Sequence, residues 1–178
     1  NNDSRPQLSA RALSNCQPPP GRLQRVAHAD PPVLIDFAHT PDAVTQVLLS
    51  LRLHCQGRLI CVLGCGGDRD PGKRPLMGVA AVQHSDLCLF TSDNPRSESP
   101  ASIIDEMCRD LAVPLDPADC LIDRKAAIQR ALTLQEPGDV VVILGKGHER
   151  YQEIQGVRYP FNDEAIVTVE LMQRGRRA

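Results

Sequence analysis

A chain of 178 residues is long enough for one doubly wound core and too short for two large domains. Hydrophobic residues at 42% and charged residues at 24% describe an ordinary globular protein. Twenty basic against twenty-two acidic side chains leave a formal charge of -2, and there is no Trp, so neither a cationic field nor an aromatic platform recruits nucleic acid.

Seven cysteines (Cys16, Cys55, Cys61, Cys65, Cys88, Cys108 and Cys120) form no C-x-x-C pair. Cys61, Cys88 and Cys120 lie in apolar runs, as reduced, buried thiols of a cytoplasmic protein would, rather than in a disulfide frame or zinc site. No run approaches the ~18 apolar residues of a membrane span, and the polar start Asn1-Asn2-Asp3-Ser4 is no signal peptide. Arg174, Arg176 and Arg177 read as a frayed basic tail.

In chain order, residues 7–15 could form one short helix without a partner of its own size, and Gln17-Pro18-Pro19-Pro20-Gly21 has the composition of a stiff linker. Residues 1–16 are therefore expected to be the tail of a preceding domain, with a disordered leader as the alternative; residues 17–31 form a Pro-rich linker and 32–178 the main domain. Val33-Leu34-Ile35 is a strand, and Pro41–Leu53 a helix capped by Thr40. Leu59–Leu63 is a strand, Pro75–Gln83 a helix, and Leu87–Thr91 a strand. Ser99-Pro100 opens a helix to Leu111, Cys120–Ile122 is a weak strand, and Arg124–Leu134 is a helix. Val140–Leu144 is a strand buried on both faces; Gln152–Phe161 turns at Gln155-Gly156 as a hairpin, and Asn162-Asp163-Glu164 opens a last helix. The expected fold is α/β: a Rossmann-like, mostly parallel sheet of about six strands flanked by helices, with a C-terminal hairpin.

In such a sheet ligands sit beyond the carboxyl ends of the strands, so the loops that follow the strands carry the chemistry. After the first strand, Asp36 can accept from ribose hydroxyls or simply cap its own turn, and His39 can approach phosphate or base. After the second, glycines from Gly64 to Gly72 let backbone approach a ligand, while Arg69, Lys73 and Arg74 concentrate positive charge against anions. Gly67–Lys73 imitates a phosphate-binding loop, but Arg74 stands where a magnesium-binding hydroxyl is required, which excludes a self-sufficient P-loop ATPase.

After the third strand comes Asp93-Asn94-Pro95-Arg96. Pro95 biases Asn94 toward extended backbone, and the planar fork of Arg96 suits a carboxylate or phosphate; a plain turn with a solvated arginine is the alternative. After the fifth comes Gly145-Lys146-Gly147-His148-Glu149, where Glu149 could pair an ammonium and His148 is either functional or a hydrogen-bonded structural residue. A site assembled from these loops suits a zwitterion: carboxylates for Arg69 and Arg96, an amine for Glu149. No Ser-His-Asp spacing, metal-ligand cluster or pair of general-acid carboxylates competes with it.

Five ordered runs, PGR at Pro20–Arg22, DFAHTPD at Asp36–Asp42, GCGGDRDPGKRPLMG at Gly64–Gly78, DNPR at Asp93–Arg96 and GKGHE at Gly145–Glu149, together resemble the C-terminal domain of the Mur ligase family, in its diaminopimelate-adding branch. The resemblance covers residues ~17 to 175. It implies that Arg69, Asp93, Asn94, Pro95, Arg96, Gly145 and Glu149 line a pocket for meso-diaminopimelate, with the arginine of DNPR holding the distal carboxylate. It also implies that Asp36, His39 and Arg58 face the nucleotide; Phe37 stands where the family usually has tyrosine. The implied reaction is cytoplasmic, ATP- and magnesium-dependent amide formation on the UDP-MurNAc-dipeptide precursor of peptidoglycan.

The family's P-loop, magnesium ligands and carbamylated lysine belong to a central ATPase domain and its UDP-sugar site to an N-terminal one, so no catalytic residue is expected in this chain. Alone it is expected to be inactive as a ligase, with 1–16 as the end of that central domain. Two alternatives are a non-catalytic module that senses an amino acid or nucleotide, and a phosphotransferase built on Gly67–Lys73, which would have to hydrolyse ATP by itself.

Overall fold

The apolar runs of the sequence become the strands of one six-stranded sheet. The computed structural model describes Pro19 and residues 21–175, so the helix expected over 7–15 lies outside the described residues. The strands β1 (Gln24–Arg25), β2 (Val33–Asp36), β3 (Leu59–Cys65), β4 (Leu87–Ser92), β5 (Cys120–Leu121) and β6 (Val140–Leu144) lie in the order β1-β2-β6-β3-β4-β5. All neighbours are parallel except β1, which runs antiparallel to β2.

The helices are α1 (Pro41–Arg52), α2 (Lys73–His84), α3 (Pro100–Cys108), α4 (Arg124–Leu134) and α5 (Asp163–Gly175). Strand alternation sorts the core into two layers. Leu59, Cys61 and Leu63 of β3 and Val142 of β6 face Leu48, Met77 and Ile103 of α1, α2 and α3. Ile60, Val62, Val141 and Ile143 face Ala127, Ile128 and Leu132 of α4 and Val167 of α5. Both central strands are buried along their whole length, which is why they carry no polar alternation; each such side chain contributes about 1.5–3 kcal/mol by leaving water.

The starts of two helices follow their caps: the Thr40 hydroxyl accepts from the Ala43 N–H, and the Ser99 hydroxyl from that of Ser102. α3 stops at Cys108 rather than Leu111: the N–H groups of Arg109 and Leu111 close tight turns onto the Glu106 and Cys108 carbonyls instead of continuing the helical ladder. The segment expected as a pure linker over 17–31 supplies β1 in its described part, because Val26 and Ala29 bury against the sheet. Cys120 is only half-buried, with its Sγ 3.9 Å from that of Cys108. Arg174 is held rather than frayed, donating to the Leu132 carbonyl and the Thr133 hydroxyl.

A separate hairpin, β7 (Tyr151–Ile154) and β8 (Val157–Pro160), turns at Gln155 (φ 50°) and Gly156 (φ 75°), the pair of positive φ angles that a two-residue hairpin turn requires. Register places the carboxyl ends of the main strands side by side: Asp36 opposite Leu144, Leu63 opposite the same Leu144, and Cys65 opposite Ser92. The four loops of interest leave from this one rim.

Candidate amino-acid site

At that rim lies a cavity of about 390 Å³, walled by Arg69, Asp93, Asn94, Arg96, Gly145 and Glu149, with Phe37 and His39 to one side. Its floor is a buried polar cluster. The ammonium of Lys146, whose side chain is 0% exposed, donates to Asp93 Oδ1 at 3.1 Å, Asn94 Oδ1 at 2.9 Å and Glu149 Oε2 at 3.2 Å. Asn94 Nδ2 donates to Glu149 Oε2 at 2.8 Å. One buried cation thus serves two carboxylates, which leaves this end of the cavity net negative and suited to a ligand ammonium.

Gly145 is required here: its φ is 107°, and a Cβ would sit 2.8 Å from Asp93 Oδ2. A second buried pair braces the floor from below. Arg124 donates to both oxygens of Asp163, at 2.9 and 2.8 Å, and to the Leu144 carbonyl at 3.0 Å, tying the starts of α4 and α5 to the end of β6.

The wall about Gly66 and Gly67 is positive. Arg96 is half-buried with φ 51°, and its Nη1 donates to the Gly67 carbonyl at 2.6 Å. Arg69 and Lys73 are exposed on the same wall, and among the described residues none of these three cations has a carboxylate within ion-pair distance. Pro95 is buried beneath the wall; a Cβ on Gly67 would lie 1.9 Å from the Pro95 carbonyl oxygen, so the glycine loop and the 93–96 loop touch backbone to backbone.

Arg74 also lines the cavity, but its charge is already taken up by carboxylates of the protein. It is 2% exposed and donates to Glu98 at 2.7 Å, Glu106 at 2.9 Å and the Gly66 carbonyl at 3.2 Å, so it fastens the glycine loop rather than waiting for a ligand anion. The Arg74 hydrogen bond, helped by the Asp68 N–H, holds the Glu98 carboxyl down at about 2. Cys65 lines the cavity, but burial and then the charge of Asp93 push its thiol up to about 12, which makes it an inert wall rather than a nucleophile.

The three residues expected to face a nucleotide separate. His39 is exposed on the cavity rim, with Nδ1 2.8 Å from the Phe37 carbonyl and its ring 4.6 Å from that of Phe37. Asp36 is buried beneath that loop, accepting from the Leu23 N–H at 2.8 Å and the Ala38 N–H at 2.7 Å; it closes its own turn and ties it to the 21–23 segment.

Arg58 lies at the far end of the domain. It precedes β3, and residues before a parallel strand stand at the amino edge of the sheet; there it pairs with Asp139 at 2.8 Å and donates to the Leu134 carbonyl at 2.6 Å. The arginine that does reach this corner is Arg22, whose guanidinium lies 5.4 Å from the Phe37 ring centroid, with exposed His148 5.8 Å away on the same ring. Sequence reasoning passed over Arg22 and Lys146 as site residues, although both lie within the quoted runs. A lysine one glycine beyond a strand buried on both faces, with a second glycine after it, is the signal that could have found the second.

Residues 21–147 match the family described as "Mur ligase, glutamate ligase domain", and the chain belongs to that family. Among curated relatives it is 47% identical over 174 residues to the UDP-N-acetylmuramoyl-L-alanyl-D-glutamate–2,6-diaminopimelate ligase of Xanthomonas oryzae, covering 97% of this chain and 35% of that protein. The enzyme of the same description from Aquifex aeolicus is 50% identical over 163 residues, covering 91% and 33%. The chain therefore spans about a third of the length of the curated relatives it matches.

A solved diaminopimelate ligase of this description superposes with a TM-score of 0.80 at 38% identity, over 94% of this chain and 37% of that one. Mycobacterium tuberculosis folylpolyglutamate synthase, solved with ADP and AMPPCP, has a TM-score of 0.58 at 24% identity over 77% of this chain and 32% of that one, a likeness of fold alone.

Proposed function

We propose that this chain is the amino-acid-binding domain of an ADP-forming ligase that adds meso-diaminopimelate to UDP-MurNAc-dipeptide in the cytoplasm, during peptidoglycan synthesis. The observation that carries the reading is the polarity of one cavity: Asp93 and Glu149 share a single buried lysine at one end, while Arg96 and Arg69, grouped about Gly66, have among the described residues no carboxylate within ion-pair distance. A diamino dicarboxylic acid matches both ends at once, whereas lysine lacks the second carboxylate.

In this reading Arg96 holds the distal carboxylate and the Asp93–Asn94–Glu149 group holds the ammonium, leaving the other amine, in its neutral form, to attack. The contribution of these residues to rate is orientation, which turns an encounter of two substrates into a positioned attack. Phe37, His39 and Arg22 at the rim are the groups that would meet a nucleotide, Asp36 supporting their loop from below. ATP, when bound, supplies the phosphoryl group that activates the acceptor carboxylate. Among the described residues no group of three or more His, Cys, Asp or Glu gathers as a metal site, so a resident magnesium ion has no ready-made cage in this domain.

Titration calorimetry with meso-diaminopimelate and with L-lysine tests this reading. The chain should bind the first more tightly, and Arg96→Ala should abolish the difference; equal binding of the two by the parent chain overturns the reading.

A further inference from the structure

The β7–β8 hairpin lies beyond the residues matched to the family, and every strand residue of β8 is exposed. The hydrogen bonds that β7 and its turn send beyond the hairpin converge on the 92–97 segment. The Arg96 N–H donates to the Glu153 carbonyl at 3.0 Å and the Arg96 carbonyl accepts from the Gln155 N–H at 2.7 Å, a parallel bridge on either side of one residue.

Around this bridge, Gln152 Nε2 donates to Ser92 Oγ at 3.0 Å and the Asp93 carbonyl at 2.7 Å. The Glu153 N–H donates to Asn94 Oδ1 at 2.9 Å, and Gln155 Nε2 to the Ser97 carbonyl at 3.2 Å. Arg96 holds a left-handed backbone, φ 51°, that a residue with a Cβ adopts only when its surroundings over-determine it.

We infer that the hairpin is the positioning element for Arg96 and so sets the selectivity of the site for a second carboxylate. Neither Gln152 nor Gln155 lines the cavity; they act through the backbone they hold. Buttressing of this kind matters because a guanidinium fork reads a carboxylate by direction, and a shift of about 1 Å forfeits the second of its two parallel bonds. The inference rests on the amino-acid reading above, and its test separates the two.

The variant is Gln152→Ala combined with Gln155→Gly. It removes the three side-chain bonds and keeps a residue at the turn that accepts positive φ. Calorimetry should show the preference for meso-diaminopimelate over L-lysine falling about tenfold, with lysine binding and the thermal midpoint little changed. An unaltered preference, or equal loss of both ligands, overturns the inference.

Should the parent chain show no preference, the amino-acid reading fails on its own. The hairpin is then judged by amide hydrogen exchange at Arg96 and Gln155. Faster exchange in the variant supports the positioning role, and unchanged exchange sinks it.

Discussion

The ammonium of Lys146 stands 2.9 Å from Oδ1 of Asn94, and that bond fixes which way the Asn94 amide faces. With Oδ1 taken by Lys146 and the Glu153 N–H, the NH2 is turned to Glu149. Lys146→Met should leave Asp93 and Glu149 facing each other without their cation, at a cost of about 3 kcal/mol in stability. Urea denaturation measures it; a loss under about 1 kcal/mol would show that the carboxylates find water instead.

Gly67 and Gly66 are neighbours with different tolerances. A Cβ at Gly67 meets the Pro95 carbonyl oxygen at 1.9 Å, whereas at Gly66 the nearest atom is Arg96 Nη1 at 3.1 Å, the far end of a long side chain. Gly67→Ala is expected to cost about 1–3 kcal/mol and to part the two loops, and Gly66→Ala much less. Thermal melts of the two variants side by side decide it.

Acid should loosen the glycine loop through Glu98. Its carboxyl lies at about 2 in the folded chain, against an ordinary value of about 4.3, so the unfolded chain takes up the proton first. The stabilisation from the Arg74–Glu98 pair is therefore complete above about 4.3 and lost as pH falls toward about 2. Denaturation midpoints of the parent and of Glu98→Gln should differ at neutral pH and converge across that interval; a gap independent of pH contradicts the assignment.

Arg124 and Asp163 are both fully buried and bonded at 2.8 Å. Removing either alone, as in Arg124→Met or Asp163→Leu, should cost about 3–5 kcal/mol, because the other charge is stranded. The double variant should lose less than the sum of the two, and a double-mutant cycle by chemical denaturation gives the coupling directly.

What the sequence disclosed and what it hid divide along a physical line. Strands such as Val140–Leu144 and helices such as Arg124–Leu134 were legible because burial on both faces, capping and period are local properties of the chain. The cavity was legible in part: Arg69, Asp93, Asn94, Arg96, Gly145 and Glu149 each end or follow a parallel strand, and parallel strands deliver such residues to one rim.

Arg58 was misplaced because nearness to a strand says nothing of which end it occupies; one position before Leu59 puts it a strand length from His39. Arg74 was taken for a free cation because its partners, Glu98 and Glu106, are distant in sequence. β1 went unseen because two residues pair there only once β2 offers an edge. The bridge from Arg96 to the hairpin has no local signature at all.

Both margins of the six-stranded sheet end in strands of only two residues, Gln24–Arg25 on one side and Cys120–Leu121 on the other. So short a border offers almost no free amides and carbonyls in register for a stranger to zip onto. Two copies meeting in solution have little template for joining the margins of this sheet, and the long, apolar β3 and β6 lie in its middle, away from those margins.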